Sequence, residues 1–154
     1  MAEAPVEDDL CTRIRRSEQA LMGHHEAVLR AYGLTMTQYA VLLALSRESG
    51  MSGSQLARSC GVTQQSMSSV LTNMETKGLV HRRPSPVHAK VQIVTLTDEG
   101  RALLDRAYEE VAILERALTD AFTPSEHAAL CELLERATAV LIRQTRHATA
   151  PPAG

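Results

Sequence analysis

The chain has 154 residues, enough for one domain or two small interlocked ones, and its 44% apolar and 22% charged residues exclude wholesale disorder. The longest uninterrupted apolar run, Tyr39 to Leu45, is seven residues, far short of the ~20 a membrane span needs, so no membrane partner is expected. Net charge is −2 but uneven: Met51 to Leu96 carries Arg58, Lys77, Arg82, Arg83 and Lys90 against Glu75 alone, or +4, between flanks that total −6. A basic middle between acidic flanks suits contact with a polyanion. The acidic N-terminus lacks the basic-then-apolar order of a signal peptide, so the expected location is cytoplasmic. Three cysteines, odd in number and far apart, do not form a disulfide framework.

Residues 1–7 and 148–154 read as flexible tails. From Asp8 the pattern turns helical, with Leu10, Ile14, Leu21, Val28 and Tyr32 on one stripe that Ser17 and His25 fill. Asp8 or Asp9 can cap its start and Gly33 its end. Thr35 and Gln38 have capping-box spacing and open a short apolar helix through Val41, Leu42 and Leu45. Ser52 and Gln55 form a second box, for a short helix that Gly61 stops. Thr63 caps the next helix, about Gln64 to Lys77, with the stripe Met67, Val70, Leu71 and Met74. Leu79–Arg83 and Val91–Leu96 read as two strands of a hairpin with a proline-bearing tip. Thr97 caps a helix of more than 20 residues carrying Leu103, Leu104, Ala107, Val111, Leu114 and Leu118. Thr123, Pro124 and Glu126 start the last helix, with Leu130, Leu133, Leu134, Ala137 and Leu141 on its stripe.

The expected fold is therefore mainly α with a small β-hairpin: a winged helix-turn-helix at 34–97, flanked by long helices at 8–33 and 98–147. Gly61 permits the sharp turn, and Ala57 is small where the two helices cross. The outer face of the second helix offers Gln64, Gln65, Ser66, Ser68, Ser69, Thr72 and Asn73, with no acid before Glu75. Glutamine can bond adenine through both ends of its amide, and serine and threonine serve base or phosphate. The candidate DNA-binding residues are Ser54, Gln55, Thr63, Gln64, Gln65, Ser66, Ser68, Ser69 and Asn73, with Arg82, Arg83, His88 and Lys90 on the hairpin. A solvated polar helix face gives the same pattern; the basic hairpin beside it favours double-stranded DNA.

The chain resembles the MarR family of bacterial transcription regulators. The residues that carry the likeness are Gly33-Leu34-Thr35, Gln38-Tyr39 and Val41-Leu42; Leu56-Ala57 and Cys60-Gly61-Val62; Leu71, Met74-Glu75 and Lys77-Gly78-Leu79-Val80; Arg82-Arg83; and Leu96-Thr97 with Gly100. The series spans roughly residues 8–146. The resemblance implies a homodimer built by the first and last two helices, with two winged domains reading a pseudo-palindromic operator. Family wings commonly carry Asp-x-Arg at the tip, where this chain has His88-Ala89-Lys90. Lysine is a point charge without the guanidinium fork, so a phosphate contact is retained more readily than minor-groove reading.

The resemblance also implies a small aromatic or lipophilic effector between the dimerisation helices and the winged domain. Arg16, His24, His25, Met36 and Tyr39 are the candidates there, though His25 also fits an interface histidine and Met36 and Tyr39 plain packing. A thiol-based redox sensor is the alternative, because Cys11 falls near the reactive cysteine of the family's peroxide-sensing branch. The two tyrosines of that branch are matched here by His25 and Met36, and only Arg15 is left to stabilise a thiolate. Cys60 sits at an apolar core position and Cys131 near the stripe of the last helix, both read as packing. His127 and Cys131 are spaced as a pair of metal ligands, but two ligands are not a site, so neither metal nor cofactor is expected. No phosphate loop, nucleophile elbow or carboxylate pair points to an enzyme. The remaining alternative is a helical dimer whose winged domain contacts protein.

Overall fold

The computed structural model describes residues 9–87 and 90–148, side chains of 146–148 excepted. His88, a candidate DNA contact, the cap candidate Asp8 and the tail residues 1–7 and 149–154 lie outside the described residues, while Ala148, expected in the tail, is the last residue of the final helix. The elements are α1 (Leu10–Ala31), α2 (Met36–Arg47), β1 (Met51–Ser52), α3 (Gly53–Ser59), α4 (Gln64–Thr76), β2 (Val80–Pro84), β3 (Gln92–Leu96), α5 (Asp98–Asp120) and α6 (Pro124–Ala148). Among the described residues no single helix is long and apolar enough to cross a membrane.

Local signals place these elements. Asp9 caps α1 by accepting from the Thr12 amide at 2.7 Å. The boxes at Thr35/Gln38 and Ser52/Gln55 are both formed, each side chain accepting from the other residue's backbone N–H. Helices α3 and α4 each end on a left-handed glycine, Gly61 (φ 65°) and Gly78 (φ 70°). The amide after each glycine then donates back across the last turn, Val62 to the Ala57 carbonyl and Leu79 to the Met74 carbonyl.

The sheet has three strands rather than the expected two. β1 pairs antiparallel with β3 through Met51↔Val94 and Ser52↔Ile93, giving the order β1-β3-β2. A two-residue strand has no alternation to read. It exists because β3 offers it an open edge.

The chain divides into two compact units, Met1–Val111 and Ala112–Gly154. The first holds the core: Leu29, Leu34, Tyr39, Val41, Leu42, Leu45, Leu56, Met67, Leu71, Met74, Val80, Val94 and Leu104 among others. The stripe expected on α1 meets this core at one end. Only its last turns reach the core, and Leu29 is the buried anchor, whereas Leu10 is 68% exposed and Leu21 also lies open.

Among the described residues of the second unit none is buried. Within it Ile113, Leu118, Phe122, Leu130, Leu133, Leu134, Val140, Leu141 and Ile142 are all exposed. The first half of α5 buries Leu104 and Ala107 in the core of the first unit, whereas its end and α6 leave this apolar surface open.

Candidate nucleic-acid interface

Helix α4 presents two faces. Met67, Leu71 and Met74 are buried against α3 and the sheet, where Leu56 and the small Ala57 let the helices approach closely. Gln64, Gln65, Ser66, Ser68, Ser69, Thr72, Asn73 and Thr76 lie on the exposed side. Thr63 caps the helix, accepting from the Ser66 amide at 3.1 Å, and its hydroxyl donates to that of Ser66. The amides of Gln64 and Gln65 lie in the first turn, where no intrahelical acceptor exists, and can donate to a phosphate.

The hydroxyls further along the helix are turned inward. Ser69, Thr72 and Thr76 each donate to the carbonyl four residues back, at 3.4, 2.9 and 2.9 Å. Their outward lone pairs accept. Ser68, Ser69, Thr72, Asn73 and Thr76 line one open concavity. A second cleft, lined by Ser54, Gln64, Ser68, Arg82 and Gln92 among others, lies between the start of α3, α4 and the sheet. Ser54 and Gln55 are partly spent on the α3 cap, Gln55 accepting from the Ser52 amide at 2.8 Å while the Ser54 hydroxyl bonds that of Ser52.

Arg82, expected to meet DNA from the hairpin, already has partners within the fold. In β2 side chains alternate between faces, so Arg82 shares the side of the buried Val80 and points at α4. Its guanidinium donates to the Thr72 hydroxyl at 2.7 Å and pairs with Glu75 at 3.0 Å. Arg83, one residue on, is exposed, and so is Lys90 at the tip. These two carry the wing's outward charge among the described residues.

Three further contacts tie α4 and its exit to their surroundings; pattern reading named Thr97 as a helix cap but none of these partners. Gln38 of α2 donates to Asn73 Oδ1 at 2.8 Å, and Lys77 donates to the Gly33 carbonyl at 2.9 Å. The Thr97 hydroxyl donates to the Gly78 carbonyl at 2.7 Å while accepting from the Gly100 amide at 2.9 Å. Gly100 is required there: a Cβ would fall on the Leu79 carbonyl oxygen and 3.1 Å from Leu96 Cδ1. The Leu-Thr-x-x-Gly spacing thus lets α5 start against the exit of α4.

The five effector candidates divide. Tyr39 is buried in the core, and burial pushes its phenol up, with Tyr108 adding to the shift and Arg47 opposing it. Met36 packs on the same core, Arg16 is exposed, and His24 and His25 are half-buried with their rings 6.1 Å apart. His24 Nε2 is buried with no hydrogen-bond partner among the described residues. None of the five lines either cleft above.

Cys11 is exposed, while Cys60 packs against the core, where burial pushes its thiol up. Cys131, expected to pack, is instead exposed, with Sγ 3.9 Å from His127 Nδ1. Among the described residues no three ligating side chains converge.

Comparison with known proteins agrees with this geometry. Residues 32–90 match the sequence model of the MarR family. An HTH-type transcriptional repressor of Mycobacterium tuberculosis is 34% identical over 110 residues, covering 71% of this chain and 79% of that protein. The homoprotocatechuate degradative operon repressor of Escherichia coli is 27% identical over 130 residues, covering 84% of this chain and 88% of that protein. The solved structure of the transcriptional repressor CouR bound to a 23-mer DNA duplex superposes with a TM-score of 0.76 at 27% identity, covering 90% of this chain and 99% of that one. The chain belongs to the MarR family of transcriptional regulators.

Proposed function

We propose that the protein is a homodimeric, sequence-specific DNA-binding repressor of the cytoplasm, relieved by a small aromatic or lipophilic ligand. The observation that carries the DNA-reading part is the outer face of α4. It is a capped helix with exposed glutamine, serine, threonine and asparagine side chains, fastened to α2, β2 and α5. Such a face enters a major groove with little loss of side-chain freedom. Arg83 and Lys90 supply the sequence-independent attraction to phosphate. The likeness to a repressor solved on a DNA duplex supports the same reading.

The partner that covers the second unit is a second copy. Its nine exposed large apolar residues contribute on the order of 1 kcal/mol each when buried from a half-exposed state. Two copies related by a two-fold axis present two α4 helices to half-sites about one helical turn apart, which suits a pseudo-palindrome. A repressor is the simplest outcome, since a dimer seated on a promoter blocks polymerase. The effector is placed at α1 and the start of α2, with Arg16, His24, His25, Met36 and Tyr39, and the unpartnered Nε2 of His24 is the polar atom that favours this position.

The test is selection of duplexes from a random pool, followed by fluorescence anisotropy of the selected sequence and a scramble at two salt concentrations. Enrichment of a two-fold sequence, bound by one dimer, tighter than the scramble and steeply weakened by salt, is the expected result. A pool that yields no enriched sequence would overturn the assignment and leave the winged domain as a protein-contact module.

A further inference from the structure

We infer that Asn73 meets DNA as a hydrogen-bond donor, and that Gln38, buried in α2, sets that sense from behind. The inference rests on the DNA-reading assignment above and names how one residue of that face reads. The two ends of an amide side chain are alike in shape, and two facing amides can pair equally well with either one donating, so the pair alone has no preferred sense. Here a backbone group breaks the symmetry. The Thr35 N–H can only donate, and it donates to Gln38 Oε1 at 3.1 Å. That fixes the other end of Gln38 as its NH2 group, which lies 2.8 Å from Asn73. A donor there demands an acceptor, so Asn73 turns Oδ1 toward Gln38 and Nδ2 away.

Gln38 is 6% exposed, so water does not compete for the bond, while Asn73 is exposed and lines the open face with Ser68, Ser69, Thr72 and Thr76. The hydroxyls of Ser69, Thr72 and Thr76 donate inward, so Asn73 is the donor set among outward acceptors. An asparagine that reads adenine with both ends needs its carbonyl free to accept from N6. Asn73 has committed that carbonyl to Gln38. Its remaining NH2 matches an acceptor on DNA: guanine O6 or N7, thymine O4, or a phosphate oxygen.

The decisive variant is Gln38→Glu. Glutamate serves equally well in a capping box, so the Thr35 amide keeps its acceptor. With the carboxyl ionised both glutamate oxygens accept, so at a pH well above the carboxylate range Asn73 must swing its NH2 inward and present Oδ1 to DNA. Operator affinity is expected to fall on the order of tenfold or more. The added charge weakens every duplex by a common factor; if the partner is a base, the selected operator weakens beyond it. The preference at one base pair per half-site then moves toward a pair offering adenine N6 or cytosine N4. If the partner is phosphate, operator and scramble weaken alike. Asn73→Asp, at an exposed position, keeps the Gln38 bond and also presents an acceptor, so it should shift preference the same way while weakening all duplexes.

A second readout needs no DNA. In the wild type the side-chain amide protons of Gln38 should exchange slowly and those of Asn73 fast; in Gln38→Glu those of Asn73 become the slow ones. Wild-type affinity and preference in a folded Gln38→Glu protein, or slow exchange at Asn73 in the wild type, would overturn the inference. A wild type that selects no sequence at all sinks the DNA-reading assignment instead.

Discussion

Replacing Gly100 by alanine tests the junction that fastens α4 to α5. The added Cβ would overlap the Leu79 carbonyl oxygen and come within 3.0 Å of its carbon and 3.1 Å of Leu96 Cδ1. The carbonyl cannot retreat freely, because it accepts from the Thr97 amide at 3.2 Å and Leu79 donates to the Met74 carbonyl. Overpacking against such a group costs about 1–3 kcal/mol, and weakening the Thr97 bond adds about 1 kcal/mol. Alanine returns about 0.5–1 kcal/mol of helix propensity. The net loss is about 1–3.5 kcal/mol, which lowers Tm by roughly 3–10 °C for a chain of this size. Gly23→Ala is the matched control: it is also helical, but its Cβ meets nothing within 4 Å. That change should raise Tm by about 1–4 °C. Thermal melts followed by circular dichroism measure both. A Gly100→Ala protein as stable as the wild type would refute the argument that the Leu-Thr-x-x-Gly spacing exists for close approach.

Four further outcomes are expected. Lys90→Ala or Arg83→Ala should weaken binding to all duplexes and reduce the log–log salt slope by about 0.9 for each phosphate lost. Arg82→Ala should weaken binding with the slope unchanged, because Arg82 is engaged with Thr72 and Glu75; a drop in slope like that of Lys90→Ala would show it meeting phosphate after all. Leu133→Glu should raise the dimer dissociation constant at least ~100-fold by placing an unpaired charge in an apolar interface, read by sedimentation equilibrium. An undiminished dimer would move the interface off α6. Glu126 accepts from the Thr123 amide and hydroxyl, which hold its carboxyl below the ordinary glutamate range. A depressed folded-state pKa gives a contribution present above the unfolded-state value and lost as pH falls through the folded one. The protection of the Thr123 amide, taken relative to its intrinsic exchange rate, should therefore fall as pH drops below the glutamate range, and in Glu126→Gln it should lack that step.

Much of the fold was legible in the chain because it is encoded locally. The capping boxes at Thr35, Ser52 and Thr123 place helix starts through bonds three residues long, and Gly61 and Gly78 place helix ends through backbone conformations that cost glycine little. The stripe Met67, Val70, Leu71 and Met74 told which side of α4 is outward, and with it most of the candidate interface. What could not be read depends on residues far apart in the chain. β1 exists only through its pairing with β3, and Leu29 rather than Leu21 anchors α1 because the core reaches no further. Arg82 looked like a wing cation until strand alternation and the approach of α4 gave it Thr72 and Glu75. The sense of Asn73 is set 35 residues away by Gln38, and the need for glycine at position 100 comes from a carbonyl at 79. Sequence alone thus determined the elements and their faces, which follow from short-range hydrogen bonding and periodicity. Only the tertiary structure decided which polar groups are already spent, because a side chain's free donors and acceptors depend on what packing brings beside it.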